Sequence, residues 1–328
     1  MPNKLTAIAA NTFTETVRQP VYGVLLWVAV FWVAFISPAF AAFTLVAGSD
    51  KKIMIDVSLS TLMLYGLLAS VFSATSVITR EIESHTVLTV ISKPVSRPVF
   101  LLGKYLGVTG AVAVGYYFLC LALFLTVRHG TMETAADKYD QPVLIFGLGA
   151  VLISLIAATF TNYIYGWHFS STLTAFVVPL ASIAMLVVLF ISPEWAMQNP
   201  LAKDATFSNC QLLYAVAATF CGVLILCAFA VALATRLGQV LTLTACAGVF
   251  ILGLHSDYLF GRFVTEGPLY QILYAAIPNF QFFWLGDPLT QELLIPGMQV
   301  AFVAGYAALY ALAVLAIGVT MFQTREVS

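Results

Sequence analysis

Charged side chains are concentrated in residues 79–98 of a chain in which only 9% of all residues are charged. Glu81 and His85 are four residues apart, so on a helix they would share one face. Apolar residues between positions 87 and 91 would form a short stripe on the same helix, which Pro94 would end. A short amphipathic helix of this kind suits docking into a groove of a soluble protein.

The same stretch has a second interpretation. It is also consistent with a solvated connector whose charges only set the orientation of the chain in a membrane. In both cases Ser96, Arg97 and Pro98 predict the start of the next helix, because proline is favoured in a first helical turn. The residues alone leave the choice between a docking helix and a connector open.

Known catalytic and ligand-binding patterns are absent from the sequence. It contains no GxxxxGK[ST], GxGxxG, HExxH or GxSxG motif and no CxxC pair. His255 and Asp257 are two residues apart and would point to different sides of a helix, which argues against a metal site. We therefore expect no catalytic, cofactor-binding or metal-binding residue on this chain, and we expect that it is not an enzyme.

The composition requires a lipid environment. The 328 residues are 61% apolar, with a mean hydropathy of +0.97. Soluble domains carry roughly 25% charged residues, far more than the fraction found here. The net charge of −1 gives no electrostatic basis for binding nucleic acid.

Apolar windows long enough to cross a bilayer predict an all-α, polytopic transmembrane bundle of about eight spans, because a spanning helix needs about 20 apolar residues. The fourth and fifth windows are close enough to form a hairpin over residues 143–191, and the seventh is the shortest. The windows are Val21–Val46, Val57–Val77, Tyr105–Val127, Val143–Thr161, Thr172–Ile191, Leu212–Thr235, Val240–His255 and Met298–Phe322.

The distribution of basic residues predicts the orientation. With a cytoplasmic N-terminus and eight crossings, eight basic residues lie inside and six outside. We therefore expect a multi-pass protein of the cell (inner) membrane with both termini cytoplasmic. Residues 1–20 would form an amphipathic helix in the inner interface, and residues 80–97 a cytoplasmic loop.

The connector over residues 262–296 would be extracytoplasmic and carries many aromatic residues. It is consistent with a lid over an exit path, and equally with an aromatic anchor belt at the membrane surface. Gly103 and Gly107 form a GxxxG pattern that permits close helix packing, although small residues are common throughout the chain.

The cores of the predicted spans contain no Asp, Glu, Lys or Arg. Ion-driven carriers usually place such residues near the membrane midplane. The simpler hypothesis is that a soluble motor supplies the work by pushing on residues 80–97. A secondary carrier that binds sodium through hydroxyls and backbone carbonyls remains the alternative.

Several stretches resemble ABC-2-type transporter permeases, and the likeness is closest to the branch that contains the permease of copper-enzyme maturation. The specific part runs from Glu81 to Gly107, and the resemblance covers most of the chain. The matching stretches are the N-terminal helix, Glu81–Thr86, Lys93–Phe100, Gly103–Gly107, Ala234–Leu237, Ile277–Phe280 and Phe322–Glu326.

The resemblance implies a membrane subunit of an ABC transporter. Two such permeases pair as a homo- or heterodimer, and each engages a separate ATPase subunit, which binds ATP and Mg, through a coupling helix in the first cytoplasmic loop. By position, seven residues would form, flank or close that helix. They are Glu81, Glu83, His85, Thr86, Lys93, Pro94 and Arg97.

The family norm is six spans, so eight spans imply an inserted pair, which we identify as the hairpin over residues 143–191. An inserted pair leaves both termini on the same side of the membrane. The expected function is export driven by the partner ATPase. The alternatives are an ion-coupled carrier and a non-transporting ABC subunit that transmits ATPase motion to an envelope complex.

Overall fold

The structure is a computed structural model that describes residues 2–44, 50–83, 96–131, 139–200, 211–291 and 293–323. Those residues form helices and connecting turns, with no β-strand among them, which confirms the predicted all-α class. The helices of the first half are α1 (Pro2–Arg18), α2 (Pro20–Ala42), α3 (Asp50–Glu83), α4 (Arg97–His129), α5 (Gln141–Tyr165) and α6 (Phe169–Phe190). Those of the second half are α7 (Gln211–Ala234), α8 (Gln239–Leu254), α9 (Ser256–Leu259), α10 (Pro268–Ala276), α11 (Gly286–Thr290) and α12 (Gly297–Gln323).

Seven of these helices are long and apolar enough to cross a bilayer, and each covers most of one predicted window. The window Val240–His255 is the exception. It is helix α8, which has 16 residues and is therefore about 24 Å long, shorter than the roughly 30 Å hydrocarbon core. After α8 the chain bends by 69° into Ser256–Phe263. The described part of the chain thus has seven candidate spans, or eight if this bent pair counts as one.

Helices α3 and α7 lie at the centre of the bundle. In each, 72% of the most apolar window is buried inside the protein, against 22% for α5. A hydrogen bond also joins α4 to the central helix α7, because a polar group in an apolar bundle needs a partner. The Tyr116 hydroxyl on α4 donates to the carbonyl of Val216 on α7 at 2.8 Å.

Helix α1 packs against α4 at the GxxxG pattern. A side chain at Gly103 would come within 2.7 Å of Ile8, and one at Gly107 within 2.5 Å of Thr12. The two glycines therefore let α1 approach the α4 backbone closely. The helix predicted near the N-terminus is present, and its location at a membrane interface stays a prediction.

The hairpin predicted over residues 143–191 consists of α5 and α6, joined by a short turn. The open end of the hairpin, where α5 begins and α6 ends, is held by a buried ion pair. Arg128, at the end of α4, approaches Asp140 at 3.0 Å, and the two side chains are 3% and 5% exposed. Arg128 also donates to the carbonyls of Val188 and Ile191 at the end of α6. Asp140 in addition accepts from a backbone N–H as the N-cap of α5.

Residues 262–296, predicted to form an aromatic connector, include α10, α11 and a 3-10 turn at Phe280–Phe283. Phe280 and Phe283 of this turn are fully buried in the bundle. By contrast, none of the residues of α10 is buried. The segment is therefore anchored by the turn and exposes the helix before it.

Candidate functional site

The predicted coupling loop leaves the bundle where α3 ends at Glu83 and returns where α4 begins at Arg97; we call this the loop end of the bundle. Ser96 is the N-cap of α4, with extended backbone angles, and Pro98 lies in the first turn. The start predicted from Ser96, Arg97 and Pro98 is therefore confirmed. Its physical basis is the fixed φ of proline, which is compatible with a first helical turn.

Only part of the predicted coupling set lies among the described residues. His85, Thr86, Lys93 and Pro94 lie outside them. Glu83 ends α3 in the backbone, and its side chain is likewise outside. Glu81 and Arg97 remain, one on each side of the loop.

Glu81 binds a buried lysine. Its Oε1 atom lies 2.6 Å from Nζ of Lys104, which is on the second turn of α4 and has a side chain that is only 1% exposed. Glu81 is 26% exposed. Because an isolated ammonium is costly to remove from water, this charge-assisted hydrogen bond is what allows Lys104 to be buried as a cation.

The Lys104 ammonium also lies 5.4 Å from the ring centre of Phe100, within the range of a cation–π interaction. Phe100 stacks on Phe322 near the end of α12, with ring centres 5.7 Å apart and an interplanar angle of 18°. The contacts from Glu81 to Phe322 therefore connect α3, α4 and α12 through side chains.

Arg97 binds the end of α12 from the other side of the loop. Its Nη1 atom donates to the Phe322 carbonyl at 2.8 Å, and its guanidinium lies 5.5 Å from the Phe322 ring centre. Arg236, after α7, donates from Nε to the Met321 carbonyl at 2.8 Å. Cations at the C-terminal carbonyls of a helix are favourable because they satisfy acceptors that lack intrahelical donors.

We call this group of residues the collar: Glu81, Arg97, Phe100, Lys104, Arg236, Met321 and Phe322. The sequence pointed to Glu81 and Arg97 but not to Lys104, which lies one residue before the predicted third span. The available signal was a lysine between the two glycines of the GxxxG pattern, in an otherwise apolar stretch. A basic residue at a span boundary needs a partner.

The collar consists of one carboxylate, three cations, two aromatic rings and Met321. Among the described residues, no group of three or more His, Cys, Asp or Glu side chains is placed to hold a metal ion. The four described cysteines are free and buried. Contacts within the collar join the residues at both ends of the predicted coupling loop to α3, α4 and α12.

Comparison with models of known protein families and with characterised proteins gives no match for this chain. The resemblance to ABC-2-type permeases therefore rests on the stretches quoted above.

Proposed function

We propose that the chain is the membrane-spanning permease subunit of an ATP-driven ABC transporter of the exporting type, in the cell (inner) membrane with both termini cytoplasmic. A separate ATPase subunit binds ATP and Mg and hydrolyses the nucleotide, so the chain itself is not an enzyme. A second permease copy completes the transporter. The bilayer solvates the apolar surface of the bundle.

The collar is the observation that carries this proposal. Glu81 is bound to Lys104 on one side of the loop, and Arg97 is bound to Phe322 on the other. A force applied to the loop by a docked ATPase would therefore act on α3, α4 and α12 together. A loop that served only as a solvated connector would not need both of its ends bound to buried or helix-terminal groups.

The arrangement of the helices is compatible with a six-span core plus an insertion. Setting aside the hairpin α5–α6 leaves α2, α3, α4, α7, α12 and the bent pair that begins with α8 as six crossings. The seven residues predicted to couple to the ATPase keep that proposed role, including the four that lie outside the described residues.

An ion-coupled carrier is the alternative. Most such carriers place ionisable groups near the middle of the spans, whereas one that binds sodium through hydroxyls and backbone carbonyls does not need them. Within the described residues the two buried ion pairs lie at the two ends of α4, and the third pair, Lys52–Asp287, is exposed. This distribution favours the permease. A non-transporting subunit driven by the same ATPase would use the same collar. It would differ only in transmitting the ATPase motion to an envelope complex instead of moving a substrate.

Co-purification tests the class of protein. An ATPase subunit should elute with the chain from detergent-solubilised membranes, and the permease should change its ATP turnover in nanodiscs. Lys104→Met should abolish that change and leave the ATPase bound. Lys52→Met, at an exposed lysine in a long ion pair, is the matched control and should behave as wild type. Uptake driven by an ion gradient without any ATPase would support the carrier instead.

Replacing the loop carboxylates tests the docking surface. Glu83→Ala combined with Glu81→Gln should weaken association with the ATPase while the bundle remains folded. Glutamine is used at Glu81 because alanine would leave the buried Lys104 without an acceptor. Full association and full coupling in this double variant would contradict the assigned loop.

Labelling tests the orientation. In a Cys210→Ser background, a cysteine introduced by Ser92→Cys should react with an impermeant maleimide only from the cytoplasmic side. The four other cysteines are buried and should contribute little background. Labelling from the outside would overturn the proposed topology.

A further inference from the structure

A cavity of about 520 Å³ lies between α10 and α12, next to the 3-10 turn Phe280–Phe283. This volume is within the range of about 300–1,000 Å³ that is usual for small-molecule sites. Four aromatic residues line it, together with Asn279 and small aliphatic side chains. The aromatic residues, which we call the cage, are Tyr274, Phe282, Tyr306 and Tyr310.

The hydroxyl groups of the cage are engaged with the protein. The Tyr274 hydroxyl donates to Asp257 at 2.7 Å, and that of Tyr310 donates to the Ala276 carbonyl at 2.5 Å. The Tyr306 hydroxyl accepts from the backbone N–H of Asn279 at 3.1 Å. The cage therefore offers mainly ring surfaces, and a ligand that needs many hydrogen bonds would be poorly satisfied.

The rings form walls at different angles. Phe282 and Tyr306 meet edge to face, with ring centres 5.7 Å apart and planes at 85°, and Tyr306 lies 5.6 Å from Tyr310. Ring faces are negative in electrostatic potential, so an open groove with several ring walls attracts a cation of low hydrogen-bonding need.

A carboxylate accepts hydrogen bonds from two of the residues that line the cavity. Asp257 Oδ1 accepts from Tyr274 and from the side-chain amide of Asn279 at 2.8 Å. Among the ion pairs of the described residues, none includes Asp257. The nearby Arg262 instead stacks on Tyr258 and Phe263, with its guanidinium 4.1 and 4.5 Å from their ring centres.

The negative charge of Asp257 is therefore next to the cage without a cationic partner in the described part of the chain. The hydrogen bond to Asp257, together with desolvation, raises the pKa of Tyr274, so its hydroxyl stays protonated and keeps donating. A phenol that donates to a carboxylate has a more electron-rich ring, which strengthens its attraction for a cation.

We propose that this cavity binds an organic ammonium group, of the N-methylated kind found in choline, with the rings of Tyr274, Phe282, Tyr306 and Tyr310 around the cation and Asp257 supplying the opposite charge. The site goes beyond the proposed transporter function and does not depend on an ATPase. A free ammonium compound and the head group of a membrane lipid present the same chemistry.

Binding of tritiated choline to the purified full chain, in a maltoside detergent, tests the free form. Binding should saturate, and Tyr306→Leu should weaken it about tenfold or more because one ring wall is lost. Asp257→Asn should weaken it by a similar factor. Tyr163→Leu, at an exposed aromatic residue on the hairpin α5–α6, is the matched control and should leave binding unchanged. Unlabelled 3,3-dimethylbutanol, the uncharged isostere of choline, should not compete.

The lipid form is tested by reconstitution in nanodiscs of mixed phosphatidylcholine and phosphatidylglycerol, followed by native mass spectrometry. Selective retention of phosphatidylcholine that is lost in Tyr306→Leu identifies a head group as the ligand. Phe282→Leu, at a half-exposed ring, is the second variant if Tyr306→Leu does not fold. Competition by the uncharged isostere, or absence of both choline binding and selective lipid retention, would overturn the proposal.

Discussion

Helix α4 has a buried ion pair at each end, and the two pairs differ in how completely they are satisfied. At the C-terminal end of α4, which we call the far end, Arg128 and Asp140 are both almost fully buried, and each makes further hydrogen bonds. At the loop end, Lys104 is equally buried, but its partner Glu81 is partly exposed. The far pair is enclosed by the protein, whereas the loop pair has one side open to solvent.

This difference indicates different roles. Breaking the Arg128 contacts would leave a buried charge with no water to replace its partners, so the hairpin α5–α6 is fixed to α4. Glu81 can itself turn to water at lower cost, because its carboxylate is already partly hydrated, but Lys104 would then lose the acceptor that balances its burial. The loop pair is therefore the one of the two that water reaches, and only from the Glu81 side.

The largest effect should come from Arg128→Met. Removing the guanidinium leaves Asp140 buried without its cation, and we expect the free energy of unfolding to fall by about 3–5 kcal/mol. Denaturation in mixed micelles measures this value. Asp140→Asn is the control, since asparagine still caps α5 and still accepts from Arg128, and it should cost only about 1–2 kcal/mol.

Gly107→Ala tests whether the loop end is also held by α1. The added methyl group would lie within 2.6 Å of the Ala9 carbonyl and 2.5 Å of Thr12, so α1 must shift, and the expected loss is about 1–3 kcal/mol. Gly149→Ala, in a helix with no atom near the added group, should instead be neutral or stabilising by up to about 1 kcal/mol. Equal effects of the two substitutions would show that α1 packing does not contribute.

The loop pair should respond unequally to replacement of its two members. Glu81→Gln keeps an acceptor but leaves Lys104 as a buried cation without a counter-charge, and should cost about 1–2 kcal/mol. Lys104→Met should cost less than about 1 kcal/mol, because Glu81 can turn to solvent. A loss for Lys104→Met as large as that for Arg128→Met would contradict the distinction between the two ends.

Phe322→Leu should have a small effect, about 0.5–1.5 kcal/mol, because it removes one ring from the stack with Phe100 and one cation–π contact. The matched control is Phe302→Leu, at an exposed position on the same helix. A melting-temperature comparison of the two variants checks this prediction, and an equal shift would show that the stack adds nothing.

The sequence predicts the spans well because each is a local property of about 20 consecutive residues. It was ambiguous at α8, where the apolar window is short and the chain then bends by 69°. The boundary at Ser96–Pro98 was predictable for the same reason as the spans, since capping and proline act locally.

The collar and both buried ion pairs were not predicted, because they join residues of different helices, from 12 to 225 positions apart in the chain. In the predicted orientation, Arg128 is only one of the six outer basic residues and Lys104 only one of the eight inner ones. The short matches near Arg236 and Phe322 were individually weak, yet the structure brings them together through the Met321 carbonyl. Their shared location is visible only when the helices are packed.

The hydrogen bond between Arg97 and Phe322 joins residues separated by 225 positions. During synthesis on a ribosome, α4 is complete long before α12 emerges. This hydrogen bond can therefore form only after the last described helix has been made. Any chain released before α12 would carry a collar without one of its three helices. In such a chain Arg97 and Arg236 would lack the Phe322 and Met321 carbonyls as acceptors.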